Sequence, residues 1–302
     1  MEKLSKADLI SSNDEVNKYK DGCLYLIATP IGNFDDITLR ALKVLNFVDF
    51  IVCEDTRKTS KLLSALKVNY KKLISYNDHN ASQKRPYIIN HLLLKKSVGL
   101  VSDAGTPLIS DPGYKLVKEC YSKNIPVTHL PGPSSVINAL VLSNLPSDQF
   151  FFGGFLPSNK SSKQKKLLLT KYNHMTGVWF ETCIRLLSTV KIMLKVYGNR
   201  NISIMRELTK TYEEILISDL ENISSIILER IEKNNPLRGE LVIVIEGYKP
   251  SEDIDLESIK NSIEERLIDF SLRDTVNMIV AESGLSKKVV YNEAIEINNK
   301  KR

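Results

Sequence analysis

Residues 101–113, VSDAGTPLISDPG, contain two Asp, two Gly and two Pro with no Lys or Arg, directly after an apolar run. Gly105 would let the backbone approach a ligand closely, because glycine has no Cβ. The Asp103 carboxylate can accept hydrogen bonds from a ribose or an amino group, while Pro107 and Pro112 stiffen the chain. A tight turn with Asp103 as a helix cap explains the same residues, so this segment alone leaves both interpretations open.

A second segment, EDTRKT, begins at Glu54 and offers acid–base chemistry. Glu54 or Asp55 could take the proton of an attacking hydroxyl group, and Arg57 could hold a neighbouring phosphate. His79, on a later loop, is a rival base. The competing interpretation is an acidic first helical turn, with both carboxylates at the positive end of the helix dipole and Thr56 as the cap.

The segment RELTK, residues 206–210, carries charges of both signs. Arg206 and Lys210 suit a phosphate group, and Glu207 could orient Arg206. Exposed charged pairs at the end of a strand are the alternative, and such pairs contribute little to stability.

A lysine-rich stretch lies between Gln149 and Phe180, where there is no acidic residue. Such a stretch can follow a nucleic-acid backbone, because lysine contacts release counterions, but a solvated basic helix has the same composition. The lysines are Lys160, Lys163, Lys165, Lys166 and Lys171. Basic residues of the C-terminal segment, such as Lys287 and Lys288, could extend this surface.

The elements that must position these groups alternate between short β-type runs and helical patterns from about residue 22. This alternation predicts βαβ units and a mostly parallel sheet, whose ligands bind beyond the carboxyl ends of the strands. The loops at those ends are richer in Gly, Pro, Asn, Asp and Thr than short connections require. Together they predict a pocket, formed by residues 29–36, 54–59, 76–82, 102–107 and 131–135.

The pattern divides the chain into four parts: a tail at 1–20, α/β domains at 21–146 and 147–249, and a helical segment at 250–302. The stretch 145–149 is the predicted hinge, and residues 47–53 are predicted to form one of the strands. The last segment predicts two helices broken at Gly284. The apolar residues expected to pack between those helices are Leu272, Val276, Ile279 and Val280 against Val289, Val290 and Ile295.

Composition sets broad limits on the function. The 302 residues carry a formal net charge of +6, which permits a polyanionic partner without demanding one. The four cysteines lie far apart, so we expect free thiols of a reducing cytoplasm and no metal site. No apolar run predicts a membrane helix, and the sequence contains neither GxGxxG nor a P-loop.

Six motifs then occur in a fixed order: LYLIATPIGN, EDTRKTSKLL, VSDAGTPLISDPG, LPGPSS, FGGFLP and RELTKTYEE. Over about residues 22–247 the chain resembles the bacterial small-subunit ribosomal RNA cytidine 2′-O-methyltransferases, which belong to the tetrapyrrole methylase superfamily. The resemblance implies an α/β fold of two domains with S-adenosylmethionine in the cleft between them, and a homodimer. It also implies 2′-O-methylation of a cytidine ribose in 16S ribosomal RNA, free or within the 30S subunit.

The resemblance further implies which residues hold the cofactor. A sulfonium cation also favours a site where Asp outnumbers Lys, as it does in residues 101–113. The expected cofactor residues are Pro30, Gly32, Asn33, Asp103, Ala104, Gly105, Thr106, Pro107, Pro131, Gly132, Pro133, Ser134, Phe155 and Leu156.

One departure from the family pattern stands near residue 180. The family usually has Glu-Ser-Pro-His-Arg where this chain has Glu181, Thr182, Cys183, Ile184 and Arg185. We expect the missing His to serve positioning or packing. Two alternatives stay open: a methylase of a small tetrapyrrole-like substrate, and a ribosome-binding factor without catalysis.

Overall fold

The first half of the chain folds around a five-stranded parallel sheet. The computed structural model describes residues 19–249, 256–283 and 285–300. The strands are β1 (Leu24–Ile27), β2 (Phe50–Cys53), β3 (Leu73–Ser75), β4 (Val98–Val101) and β5 (Val127–Leu130), in the order β3-β2-β4-β1-β5. Every pairing is parallel, so all five carboxyl ends meet at one edge. This confirms the sheet that the alternating pattern predicted.

Helices and a short 3-10 turn (Phe34–Asp36) connect these strands. They are α1 (Leu39–Phe47), α2 (Thr56–Ala65), α3 (Ala81–Leu93), α4 (Tyr114–Ser122) and α5 (Ser135–Leu142). Apolar clusters fill both faces of the sheet. The predicted strand at 47–53 is wrong at its start: Phe47 closes α1, since Val48 N–H still donates to Val44 O, and β2 begins at Phe50.

The second half folds around a mixed sheet. Its strands are β6 (Phe150–Phe155), β7 (Thr176–Thr182), β8 (Asn201–Arg206), β9 (Glu214–Asp219) and β10 (Glu240–Ile245), in the order β6-β7-β10-β8-β9. Only β6–β7 pair in parallel. The helices α6 (Lys160–Leu168), α7 (Cys183–Tyr197) and α8 (Leu220–Glu232) enclose the main core of this half.

Helix α5 joins the two halves. Its Val136, Ala139 and Leu140 are buried in one cluster with Val178 of β7 and Val244 of β10. The last helix of the first half therefore covers one face of the second sheet. The boundary predicted between 146 and 147 follows this helix and stays a prediction.

The C-terminal segment contains α9 (Leu256–Asp269), α10 (Leu272–Ser283) and α11 (Lys287–Lys300). The pair of helices around Gly284 is confirmed in outline, although Gly284 itself lies outside the described residues. Ile263 of α9 completes the cluster with Val276, Ile279 and Val290, whereas Val289, predicted to pack, is 46% exposed. The unit is a three-helix cluster because α9 supplies apolar residues that the pairwise prediction omitted.

The predicted N-terminal tail falls mostly outside the described residues, which begin at Tyr19. Tyr19 packs on Phe47, and Lys20 N–H donates to the Tyr25 hydroxyl at 2.7 Å. In the described part of the chain, no helix combines the length and apolar character needed to cross a bilayer.

Candidate active site

A cavity of about 330 Å³ lies between the two sheets. This volume is within the range of small-molecule sites. The first half contributes loop residues beyond its sheet edge, and the second half contributes ends of strands β6, β7, β8 and β10. The lining includes Ile31, Asp103, Ala104, Gly105, Thr106, Asp111, Ser134 and Val136 from the first half, and Phe155, Phe180, Glu181, Met205, Glu240 and Val242 from the second.

The wall at Gly105 is fixed by backbone hydrogen bonds. Thr29 and Gly105 exchange two such bonds, both at 2.9 Å, and Thr106 Oγ1 donates to Pro133 O at 3.1 Å. Gly105 has φ +81°, a conformation that a side chain would strain. The loops after β1, β4 and β5 therefore hold one another in a fixed arrangement. Of the expected cofactor residues, the cavity brings together Asp103, Ala104, Gly105, Thr106, Ser134 and Phe155.

Gly32 and Asn33 lie at the contact between the halves. A Cβ on Gly32 would come within 2.5 Å of Lys210 Cγ and 2.9 Å of Leu208 O. Asn33 N–H donates to Thr209 Oγ1 at 3.0 Å. These two residues set how closely the halves approach, and the described lining of the cavity does not include them.

The other expected cofactor residues stand behind the lining. Leu156 is only 1% exposed and belongs to the core of the second half, whereas its neighbour Phe155 is 53% exposed and faces the cavity. The structure brings the remaining ones to the surrounding loops without placing them in the lining: Pro30, Pro107, Pro131, Gly132 and Pro133. Their roles stay predictions.

Asp103 connects the cavity to the segment that begins at Glu54. Asp55 N–H donates to Asp103 Oδ1 at 3.2 Å, and Lys58 Nζ lies 2.7 Å from Asp103 Oδ2. The Glu54 carboxylate accepts from Asp103 N–H at 3.3 Å, and burial raises the pKa of Glu54. The two segments thus form one acidic corner, with Asp103 nearest the cavity.

Asp111 lines the same cavity and was missed by the sequence reasoning. Burial, followed by the nearby charge of Glu54, raises the pKa of Asp111 to about 6. A carboxyl group that titrates near neutrality suits proton transfer at physiological pH. The signal in the sequence is the position of Asp111 as the second Asp of VSDAGTPLISDPG, eight residues after Asp103.

Asp55, Arg57 and His79 lie outside the described lining of the cavity. Asp55 is the N-cap of α2, since Oδ1 accepts from Arg57 N–H at 2.8 Å; the expectation that Thr56 caps this helix is wrong, because Thr56 is its first residue. The Arg57 guanidinium pairs with Asp55 at 2.7 Å and is 86% exposed. His79 is exposed, and its backbone N–H donates to Asn77 Oδ1.

The charges of RELTK are paired in an unexpected order. Arg206 binds Glu214 at 3.1 Å, whereas Glu207 binds Lys210 at 3.1 Å and accepts from Glu240 N–H at 2.8 Å. The prediction that Glu207 orients Arg206 is therefore wrong. The physical reason is a sharp turn: Glu207 has φ +51°, which turns the chain away from the direction of β8.

Glu181 is fully buried and lines the cavity. Its Oε2 lies 3.1 Å from Lys163 Nζ and accepts from Thr189 Oγ1 at 2.6 Å, and its Oε1 pairs with Arg185 at 2.5 Å. The departure from the family motif is at the surface, because Ile184, which replaces the His, is 96% exposed.

The lysines between Gln149 and Phe180 do not form one uniform surface, either solvated or facing RNA. Lys163 is 1% exposed and is held by Glu181. Lys166 Nζ donates to Gly153 O at 2.7 Å and lies over the Trp179 ring. Two of the five lysines therefore stabilise the fold, while Lys160 and Lys165 remain exposed.

Within residues 19–249, 256–283 and 285–300, no group of three or more His, Cys, Asp or Glu could hold a metal ion. Cys23, Cys53 and Cys120 are buried free thiols, and Cys183 is half-buried.

Comparisons with known proteins agree with this architecture. A family model described as Tetrapyrrole (Corrin/Porphyrin) Methylases matches residues 23–224. The chain is 46% identical over 224 residues to "Ribosomal RNA small subunit methyltransferase I" of Rickettsia prowazekii (strain Madrid E), covering 74% of this chain and 78% of that protein. It is 38% identical over 277 residues to the protein of the same name from Halalkalibacterium halodurans, covering 90% and 94%.

Solved structures show the same fold. A cobalt precorrin-4 methyltransferase superimposes with a TM-score of 0.55 at 17% identity, covering 74% of this chain and 95% of that one. A uroporphyrin-III C-methyltransferase from Thermus thermophilus, complexed with S-adenosyl homocysteine, superimposes with a TM-score of 0.50 at 16% identity, covering 74% and 96%. At such identities the likeness extends to the fold alone.

Proposed function

The chain belongs to the tetrapyrrole (corrin/porphyrin) methylase family, and from this premise we propose that it methylates the ribose 2′-oxygen of a cytidine in small-subunit ribosomal RNA. S-adenosylmethionine is the methyl donor. The observation that carries the proposal is the identity of 38% over 94% of a relative named as a small-subunit ribosomal RNA methyltransferase. The cytidine and the 2′-oxygen come from the motif resemblance.

The cavity suits a sulfonium donor on two grounds. Asp103 and Asp111 line it, and carboxylates favour a cationic ligand in a site shielded from water. Gly105 presents bare backbone at the wall, which allows close approach to a nucleoside. We assign donor binding to the loops that carry Asp103–Thr106 and Ser134, with Phe155 closing the site from the second half.

The bound donor supplies an electrophilic methyl carbon, and the chain's own residues must position the hydroxyl group and accept its proton. Asp111 is our assignment for the base, because it lines the cavity and has a pKa of about 6. Glu54 is the neighbouring carboxylate, and its charge contributes to the raised pKa of Asp111. Six further residues, predicted as catalytic from the sequence, are absent from the cavity lining, and we assign them to substrate positioning: Asp55, Arg57, His79, Arg206, Glu207 and Lys210.

RNA as the substrate class also distinguishes the proposal from its rivals. A small tetrapyrrole-like substrate would need no basic surface outside the cavity, whereas Lys160 and Lys165 are exposed in the second half. The buried Lys163–Glu181 pair remains intact despite the change at Ile184, so the departure gives no reason to infer loss of catalysis. We further propose a homodimer acting in the cytoplasm.

The test is methyl transfer from labelled S-adenosylmethionine to small subunits, and to naked RNA, prepared from a strain that lacks this activity. We expect label in the RNA, released on digestion as 2′-O-methylcytidine. Label in an added porphyrinoid instead would support the tetrapyrrole alternative. Binding to the subunit without transfer would support the non-catalytic alternative, and either result would overturn the proposal.

A further inference from the structure

A second cavity, of about 280 Å³, lies between helices α6 and α7. Its lining carries four ammonium groups and two hydroxyl groups, and no carboxylate is part of it. Three of the lysines, Lys160, Lys191 and Lys195, form no ion pair within the described part of the chain. The lining residues used below are Ser158, Lys160, Lys163, Ser188, Lys191 and Lys195.

This arrangement is electrostatically unfavourable without a counterion. Lys191 and Lys195 are four residues apart on α7, where like charges repel and lower helix stability. Nearby Glu181 is the carboxylate that offsets Lys163, but it is shared with Arg185. The cluster therefore retains excess positive charge that an anion would neutralise.

The cavity is also shaped by the core. Lys163 is 1% exposed, and its ammonium is fixed by Glu181 at 3.1 Å and Thr189 at 2.5 Å. The exposed lysines at the rim and the serine hydroxyl groups of the lining match the donors that bind phosphate oxygens, while the buried Lys163 fixes the base of the cavity. Lys163 lines this cavity and Glu181 lines the first cavity, so their buried ion pair lies between the two cavities.

We propose that this α6–α7 cavity binds a backbone phosphate of the substrate RNA, outside the nucleotide that is methylated. The assignment rests on the proposed function for the choice of RNA. Lys191 and Lys195 were outside the lysine-rich stretch of the sequence, and only the packing of α7 on α6 brings them to Lys160. Binding here would hold the strand while the target ribose enters the neighbouring site.

The test compares Lys191→Ala/Lys195→Ala with a control of equal charge change, Lys115→Ala/Lys118→Ala, on exposed positions of α4. Equilibrium binding of a small-subunit RNA fragment is measured for the full chain over a range of salt concentrations. We expect binding about tenfold weaker, and a log–log salt slope shallower by about 1 to 2, for the α7 variant alone. Lys191→Arg/Lys195→Arg should restore binding.

Two further measurements separate this inference from the proposed function. Affinity for S-adenosylhomocysteine should not change in the α7 variant, which shows that the fold and donor site are intact. RNA binding is read without catalysis, so absence of methyl transfer would overturn the proposed function and not the phosphate site. Equal RNA affinity and salt slope in the α7 and α4 variants would overturn the phosphate site.

Discussion

The two walls of the main cavity are built in different ways. The first-half wall consists of loops after parallel strands, held by backbone bonds such as the Thr29–Gly105 pair. The second-half wall consists of side chains at strand ends, and Glu181 there depends on buried ion pairs. The first wall can therefore bind a ligand through backbone groups and carboxylates. The second wall needs its ion pairs to keep its side chains in position.

We expect the largest effect from a substitution that removes the buried ion pair of the second wall. Glu181→Gln leaves the Lys163 ammonium buried without its counterion, so we expect a loss of about 3 kcal/mol or more in the free energy of unfolding. Urea denaturation measures this loss. The matched control is Glu229→Gln, whose exposed partner is Lys233 and which should change stability little. The double variant Lys163→Met/Glu181→Leu should recover most of the loss; equal stability of Glu181→Gln and wild type would contradict the buried pair.

A second prediction concerns the cost of the acidic corner in the first wall. The pKa of Asp111 rises from its ordinary value of 3.8 to about 6 on folding, so the folded state binds the proton more tightly. The stability that the protonated Asp111 carboxyl group contributes is therefore lost as the pH rises from about 4 through 6. Asp111→Asn removes this penalty, and we expect it to be more stable than wild type by about 1 to 2 kcal/mol above pH 7, less than the full shift would give because the carboxyl group is partly exposed to solvent.

Urea denaturation at pH 5 and pH 7.5 measures how that advantage changes. The stability advantage of Asp111→Asn should grow between the two pH values, and its rate of methyl transfer at pH 7.5 should be lower than that of the wild type. A variant that gains stability and keeps the wild-type rate would remove Asp111 from the role of base.

The third prediction concerns the contact between the walls. Gly32→Ala places a methyl group within 2.5 Å of Lys210, so we expect the halves to separate and donor affinity to weaken about tenfold, roughly 1.4 kcal/mol. Isothermal titration with S-adenosylhomocysteine measures this affinity. Gly198→Ala is the control: its φ of +76° is strained, but no atom lies within 4 Å of the added carbon. Equal affinity in both variants would show that Gly32 does not set the approach of the halves.

The smallest effect is expected at Asp55. Asp55→Ala removes the N-cap of α2, so Tm should fall by about 2 to 4 °C, with methyl transfer within a few-fold of wild type. Thermal unfolding and initial rates measure the two quantities. Asp55→Asn keeps a capping side chain and should retain the wild-type Tm. Complete loss of activity in Asp55→Ala at unchanged Tm would return Asp55 to the role of base.

The same difference between the walls explains what the sequence could predict. Turn residues such as Gly105 and Pro107 are local signals, so the order of strands and loops, and most of the first wall, followed from them. The Thr38 side chain, which accepts from Ala41 N–H and caps α1, is a local signal of the same kind. The ion pairs of the second wall depend on tertiary contacts. Arg206, for example, pairs with Glu214 and not with its sequence neighbour Glu207.

Long-range burial also set the limits of prediction for charged residues. Lys163 is eighteen residues from Glu181, and nothing in a run of five lysines marks one of them as part of the core. Asp111 was overlooked because burial, followed by the charge of Glu54, raises its pKa, and both causes arise only in the folded chain. The composition gives the number of charged residues, whereas the fold determines which of them form ion pairs.

The most direct test of this division between the walls is hydrogen exchange of the full chain with and without S-adenosylhomocysteine. We expect slower exchange in residues 102–111 and 131–136 when the ligand is bound, with smaller changes around residue 155. Exchange at the α6–α7 cavity should change little with this ligand and should respond to RNA instead. Slower exchange confined to the second half, with 102–111 unaffected, would contradict donor binding at the first wall.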